Sequence, residues 1–265
     1  MNGRSSRNLE WDYTPLAEAY PTRPDYADAA IDRIVAITDL KGPVRALDAG
    51  AGAGHLTIKL AERGWDITAL EPNAAMRAHG VHRTRAWPNV RWADGVMENT
   101  GQPSRSFAIC TYGSSFGVVD REVTLREAAR VLEDDGWFVC VFNHRVLEDP
   151  LQSEIEEFIR SRIAGYAYGT RREDQSAVIA ESGLFGPVVS IETPVAHVRP
   201  VTEWIQTWRS HGTLQRQAGD RFLEIVDGIA AIVMRASTDR IEVPYVTRAW
   251  LAQRRRRHPG SSAAP

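Results

Sequence analysis

Apolar positions along this chain fall into two successive rhythms. Between residues 44 and 142, short apolar runs alternate with stretches of helical periodicity. Strands are predicted over 44–47, 66–71, 90–93, 106–112 and 137–142, with helices over 56–63, 73–86 and 123–133 between them. The fifth run, WFVCVF, is apolar at every position, as a strand covered on both faces requires. This alternation predicts an α/β fold: a doubly wound, Rossmann-like and mostly parallel sheet. Ahead of it, Ala30, Ile34 and Ile37 recur at helical spacing and predict a helix over 26–40, ended at Gly42-Pro43.

Past Phe142 the rhythm changes. Helices are predicted over 151–162, 175–182, 202–211 and 220–236, with strands near 188–195 and 241–243. The first two helices bracket the Gly/Tyr/Arg-rich segment IAGYAYGTRRED. These later segments read as completing the sheet and adding a lid. The expected organisation is therefore a helical cover over 1–43, a cofactor-binding core over 44–145, lid helices with closing strands of the same domain over 146–253, and a disordered basic tail over 254–265.

Between the first strand and its helix stand Gly50-Ala51-Gly52-Ala53-Gly54, behind the acid Asp48. Glycines there permit left-handed backbone and let the main chain approach a ligand closely. The loop lacks the lysine and hydroxyl of a phosphate loop. An acid just before the turn suits a cofactor with a cationic amino-acid head better than one presenting a bare pyrophosphate. Glu71 ends the second strand, where an acid accepts from ribose hydroxyls. Asp94 ends the third and precedes Gly95-Val96-Met97, placing a carboxylate and apolar atoms for an adenine. Tyr112-Gly113-Ser114 follows the fourth strand, at the reactive end of the expected cleft.

The stretches ALDAGAGAG, ITALEPN, WADGVME, ICTYGSSFGVVD and EAARVLEDDGWFVCVFN occur in that order over residues 44–143. As an ordered set they resemble the motifs of the class I S-adenosylmethionine-dependent methyltransferases, and YPTRPDY resembles the pre-sheet segment of their small-molecule branch. The resemblance implies that Asp48, Gly50, Gly52 and Gly54 hold the methionine end of S-adenosylmethionine and frame the turn. It implies Glu71 for ribose, Asp94 and Gly95 for the adenine amine, and Val96 and Met97 for the base. Tyr112 and, as weaker candidates for the cofactor cover, Tyr20 and Tyr13 complete the expected cofactor set. One departure stands out: where many members carry an aspartate inside the fourth strand, this chain has Ala108. That argues against an acidic catalyst or metal site at this strand; no metal is expected.

Methyl transfer is an in-line displacement, so the protein aligns a nucleophile, excludes water and, where needed, accepts a proton. His144 is the preferred general base, because imidazole titrates near neutrality. It could equally cap the next element. Ser115, Phe116, Arg145, Tyr166, Tyr168 and Arg171 are the candidate substrate contacts, the last three because two tyrosines beside arginines could clamp a planar or carboxylated molecule. They could equally form a lid hinge. Trp204 and Trp208, four residues apart, read as core before pocket wall.

Composition narrows the function classes. With 265 residues, 43% hydrophobic content and a formal charge of −2, the chain offers a real core and no general attraction to nucleic acid or anionic lipid. The run Arg254-Arg255-Arg256-Arg257 is too terminal to replace a basic recognition surface. Cys110 and Cys140 sit in apolar runs and read as buried free thiols. No signal-peptide pattern or membrane-length apolar stretch occurs, so the cytoplasm is the expected compartment. The expected activity is methylation of a small molecule, such as a specialised metabolite, at oxygen or nitrogen, by a monomer or homodimer. An RNA or other nucleic-acid methyltransferase, a nicotinamide oxidoreductase and a non-catalytic cofactor-binding regulator remain as alternatives.

Overall fold

The computed structural model describes residues 12–256. Its centre is a seven-stranded sheet of β1 (Arg45–Ala49), β2 (Asp66–Leu70), β3 (Val90–Ala93), β4 (Phe107–Gly113), β5 (Leu132–Arg145), β6 (Phe185–Pro200) and β7 (Arg240–Arg254). The strand order is β3-β2-β1-β4-β5-β7-β6. The pairs β1–β2, β1–β4, β2–β3 and β4–β5 are parallel, and β7 runs antiparallel to both its neighbours. The order reverses between β1 and β4, the switch point at which open α/β sheets bind ligands beyond their strand ends. This is the doubly wound, mostly parallel sheet that the periodicity predicts.

Around the sheet lie α1 (Asp28–Thr38), α2 (His55–Ala61), α3 (Ala74–Arg83), α4 (Arg121–Val131) and α6 (Ser176–Glu181). The helices α3 and α4 start at side-chain caps: Asn73 accepts from the Met76 N–H and Asp120 from the Val123 N–H. The remaining helices, α5 (Pro150–Arg162), α7 (Val201–Trp208), α8 (Gly212–Ala218) and α9 (Phe222–Ala236), share a second apolar cluster. There Ile155, Ile159, Trp204, Trp208, Ile225, Ile229 and Val233 pack with Val243 and Tyr245 of β7. The lid therefore has its own core and is anchored through β7 to the sheet.

Several boundaries differ from expectation, each for a physical reason. The strand β5 runs through Arg145, because β7 pairs with it as far as Arg145↔Tyr245; Asn143, His144 and Arg145 are strand residues and do not follow the strand. The last strand has fifteen residues, far beyond 241–243, since it is the antiparallel filler between β5 and β6. Arg254, expected to open the disordered tail, ends β7 and is buried, donating to the Leu132 carbonyl and to Asp134. Arg256 pairs with Asp135. Residues 1–11 and 257–265 lie outside the described residues. The helix expected over 202–211 is α7, which ends at Trp208, and α8, capped by the His211 side chain, is an additional helix that the pattern did not predict.

Cys110 and Cys140 are free and buried. No helix among the described residues is long and apolar enough to cross a membrane, and no metal-sized cluster of His, Cys, Asp and Glu occurs among them.

Candidate active site

Two cavities meet at the switch point. The larger, about 470 Å³, runs along the β1 and β2 ends and is lined by Tyr13, Tyr20, Gly50, Gly52, Glu71 and Met76, with Val96, Met97 and Ser115 on its far side. The smaller, about 110 Å³, lies between the sheet and the lid. Both are bordered by Tyr20, Gly50, Gly52, Gly113 and Ser114.

The glycine loop is shaped by contacts that no side chain could share. Gly50 has φ +69°, and a Cβ there would lie 2.7 Å from the Ser115 Cβ and 2.9 Å from the Met97 Sδ. At Gly52, with φ +57°, a Cβ would lie 3.2 Å from the Met76 Cε and 3.6 Å from the Tyr20 ring. Glu71 braces the loop: its Oε2 accepts from the Gly52 N–H at 2.9 Å and its Oε1 from the Asn73 N–H at 2.8 Å. Burial raises its pKa against those hydrogen bonds. Each carboxylate oxygen keeps lone-pair capacity toward the cavity it lines. Asp48, fully buried, lines the chamber and accepts from the hydroxyls of Thr57 (2.6 Å) and Thr111 (3.0 Å). Burial outweighs these bonds and lifts its pKa to about 6. The N-terminal segment closes over the join, with the Tyr26 hydroxyl 3.0 Å from the Ser114 Oγ and the Asn143 amide donating to the Asp25 carbonyl.

The chamber is walled by Phe142, Trp204, Trp208 and Tyr245 and carries Arg23, Arg145, Arg171 and Arg172. His144 also lines it, stacked on Phe142 at 5.6 Å between ring centroids. Neither of its ring nitrogens meets a hydrogen-bonding partner among the described residues. Burial, helped by the cations of Arg172, Arg171 and Arg248, drops its pKa to about 3, so the imidazole is neutral at physiological pH. The unfolded chain, titrating near 6.5, takes up this proton first. Stability is therefore complete above about 6.5 and lost as pH falls from there toward 3. His144→Phe is expected to shrink the fall in melting temperature between pH 7 and pH 4; an unchanged acid limb in thermal melts would contradict the buried neutral ring.

Of the sequence candidates, Tyr20, Asp48, Gly50, Gly52, Glu71, Val96 and Met97 line one or both cavities, as do His144, Arg145, Tyr168 and Arg171. Ser115, expected at the substrate, lines the larger cavity and donates to the Ala49 carbonyl. Tyr112 and Phe116 are corrected: both are fully buried on the opposite face of the sheet with Phe138. Tyr166 packs in the lid core beside Tyr168 and lines neither cavity. Gly54, with φ +82°, starts α2 and packs near Trp92, while Gly95 packs on Leu70. Asp94 lies outside both linings, 3.7 Å from the Arg77 guanidinium. Trp204 and Trp208 are both core and chamber wall. Arg23, Tyr26 and His55 were not singled out, because only folding brings them to the join.

Residues 47–140 match the profile of the family described as Methyltransferase domain. Uncharacterized methyltransferases of Mycobacterium tuberculosis and Mycobacterium bovis are 32% identical over 142 residues. That match covers 53% of this chain and 56% of theirs, so it spans little more than half the length of these curated relatives. The YcgJ protein of Bacillus subtilis shares the fold with a TM-score of 0.56 at 20% identity, over 87% of this chain and all of that one. Phosphoethanolamine N-methyltransferase 2 of Haemonchus contortus, solved with phosphomonomethylethanolamine and S-adenosylhomocysteine, superposes with a TM-score of 0.55 at 13% identity, over 91% of this chain and 57% of that one.

Proposed function

We propose that this chain, whose residues 47–140 match the methyltransferase-domain profile, is a class I S-adenosylmethionine-dependent methyltransferase that transfers a methyl group from S-adenosylmethionine to an oxygen or nitrogen of a small molecule. One observation carries the reading: a larger cavity and a small chamber meet at Gly50, Gly52, Gly113, Ser114 and Tyr20. A nucleoside in the first would have its amino-acid end at the join, facing the second.

The residues present fit that cofactor. Glu71 offers two carboxylate oxygens to a ribose, and Val96, Met97 and Met76 offer apolar surface to a base. At the join, Arg23 and Asp48 supply opposite charges for an amino-acid head. When bound, the cofactor supplies an already activated methyl group, which leaves the protein the tasks of alignment, water exclusion and proton removal. The backbone of Gly113 and Ser114 and the covering Tyr20 and Tyr26 close the join. His144 is the candidate proton acceptor for a hydroxyl. Burial and the Arg172 and Arg171 cations hold its pKa at about 3, away from the near-neutral imidazole expected from the sequence, so proton removal there depends on a bound anion offsetting those cations. The Haemonchus protein, with S-adenosylhomocysteine bound on this fold, supports the cofactor assignment. The small volume of the chamber supports a small acceptor over a polymer.

Calorimetric titration tests the cofactor first. S-adenosylmethionine and S-adenosylhomocysteine are expected to bind and NADH to give no heat; the reverse pattern would overturn the reading. Once an acceptor is in hand, His144→Phe is expected to lower kcat by about 100-fold while S-adenosylhomocysteine affinity stays within about twofold. Unchanged turnover would remove His144 from the chemistry.

A further inference from the structure

The charges lining the chamber do not balance. Four guanidinium groups, those of Arg23, Arg145, Arg171 and Arg172, face one carboxylate, Asp48. Arg145 is compensated from behind by Glu156 at 2.8 Å, both being buried. Arg23 and Asp48 stand at the join and, on the function proposed above, serve the two charges of the cofactor's amino-acid head. Arg171 and Arg172 are then left over.

Their hydrogen bonds go to neutral groups. Arg171 donates to the Thr213 hydroxyl at 3.2 Å and Arg172 to the Arg145 carbonyl at 2.7 Å. Among the described residues neither forms an ion pair. Both are partly withdrawn from water, and burial with the nearby Arg145 lowers the pKa of Arg172. Arg172 lies 4.8 Å over the Tyr168 ring and shares the field of Glu156 with Arg145, so the cations outnumber the nearby carboxylate and cost folding energy that a ligand anion would recover. The segment is built to hold them there: the Thr170 hydroxyl donates to the Gly117 carbonyl at 3.1 Å, and a Cβ on Gly117 would come within 2.9 Å of the Arg171 side chain.

His211 adds a neutral donor. Its Nδ1 accepts from the Leu214 N–H at 3.1 Å, and its pKa lies well below the usual value because of burial and the cations of Arg145, Arg23 and Arg171. The neutral ring must then carry its hydrogen on Nε2. Phe142, Trp204, Trp208 and Tyr245 supply flat apolar walls. The chamber, near 110 Å³, is smaller than the cavities of about 150 Å³ that accommodate a benzene ring, but it is open toward the join, so a compact flat molecule can extend into that opening.

We infer that the acceptor is a compact, flat molecule bearing an oxyanion, a carboxylate or a phosphate, which Arg171 and Arg172 bind within the lid chamber. The inference rests on the small-molecule reading above, yet its ligand is read separately from the cofactor. An arginine fork matches either oxyanion bidentately and distinguishes both from an amide of the same shape.

Binding of benzoate, phenyl phosphate and benzamide to the full chain, with and without saturating S-adenosylhomocysteine, is the test. At least one anion is expected to bind ten or more times tighter than benzamide, weakening as salt rises. Arg171→Gln/Arg172→Gln should remove that preference, and Arg171→Lys/Arg172→Lys should restore part of it. Thermal melts of each variant establish that it folds. Whichever anion binds tighter identifies the oxyanion. Equal binding of anions and amide, no binding of any probe, or a preference intact in the folded double Gln variant would overturn the inference. So would a double Gln variant whose main loss is S-adenosylhomocysteine affinity, which would assign both arginines to the cofactor. Anion preference without S-adenosylhomocysteine binding would uphold the chamber's selectivity and sink the cofactor reading instead.

Discussion

Glu71→Ala is expected to weaken S-adenosylhomocysteine binding by at least about 100-fold, with a fall of several degrees in melting temperature. Two effects combine. The ribose loses a charged acceptor, and hydrogen bonds to charged groups are each worth about 1.5–3 kcal/mol. Two such bonds convert to about two to four orders of magnitude in Kd. Independently, the Gly52 and Asn73 N–H groups lose the oxygens that fix the loop, since Glu71 accepts from both. Glu71→Gln separates the effects, because its single carbonyl oxygen can brace one N–H while the negative charge is gone. It should keep more of the melting temperature than of the affinity. Asp94→Ala provides the contrast: Asp94 lies outside both cavity linings and beside Arg77, so a change below about threefold is expected. If Asp94→Ala matched Glu71→Ala in calorimetry, Asp94 would belong to the adenine site after all; full affinity in Glu71→Ala would refute the ribose assignment.

Glu71 was legible outright, whereas of the arginine chamber only Arg145 and Arg171 were legible as substrate candidates, and the difference lies in sequence distance. Asp48, the glycines and Glu71 sit at strand ends that apolar runs and punctuating glycines mark directly, and β1 to β4 fall within a residue or two of their predicted bounds. Tyr112 went astray on parity: Thr111 bonds Asp48 on the cleft side, so the strand's alternation turns Tyr112 toward the core, while Phe116, in the short 3-10 turn past the end of β4, packs into the same cluster. The length of β7 was hidden by Pro244, which reads as a breaker. In the sheet it sits just past the last β5–β7 pair, Arg145↔Tyr245, where its missing N–H leaves no ladder bond to β5 unmade. Arg23, Arg145, Arg171 and Arg172 come from the N-terminal cover, a strand end and the lid. Their convergence depends on lid packing, for which no local pattern exists.

Arg145→Met should produce the largest loss of stability, about 3–5 kcal/mol or on the order of 10 °C in melting temperature. Arg145 and Glu156 are buried together, with side chains 6% and 7% exposed. The guanidinium also donates to Gln152 and to the Tyr168 hydroxyl and lies 4.3 Å from the Trp208 ring centre. Removing it strands the Glu156 carboxylate in the lid with the Tyr168 hydroxyl as its remaining donor among the described residues. Replacing both partners, Arg145→Met/Glu156→Met, should recover most of the loss, since neither charge is then left uncompensated. A double variant as unstable as the single one would show that the shape of the pair matters more than its charge. Glu156→Gln tests the same balance from the other side. It leaves Arg145 as a further unneutralised cation of the chamber, so it should lower the melting temperature of the free protein and tighten an oxyanion ligand. Bound anion should then raise the variant's melting temperature more than the wild type's. Equal shifts would mean that Glu156 does not set the chamber's charge, and that the lid is held by packing among α5, α7 and α9 alone.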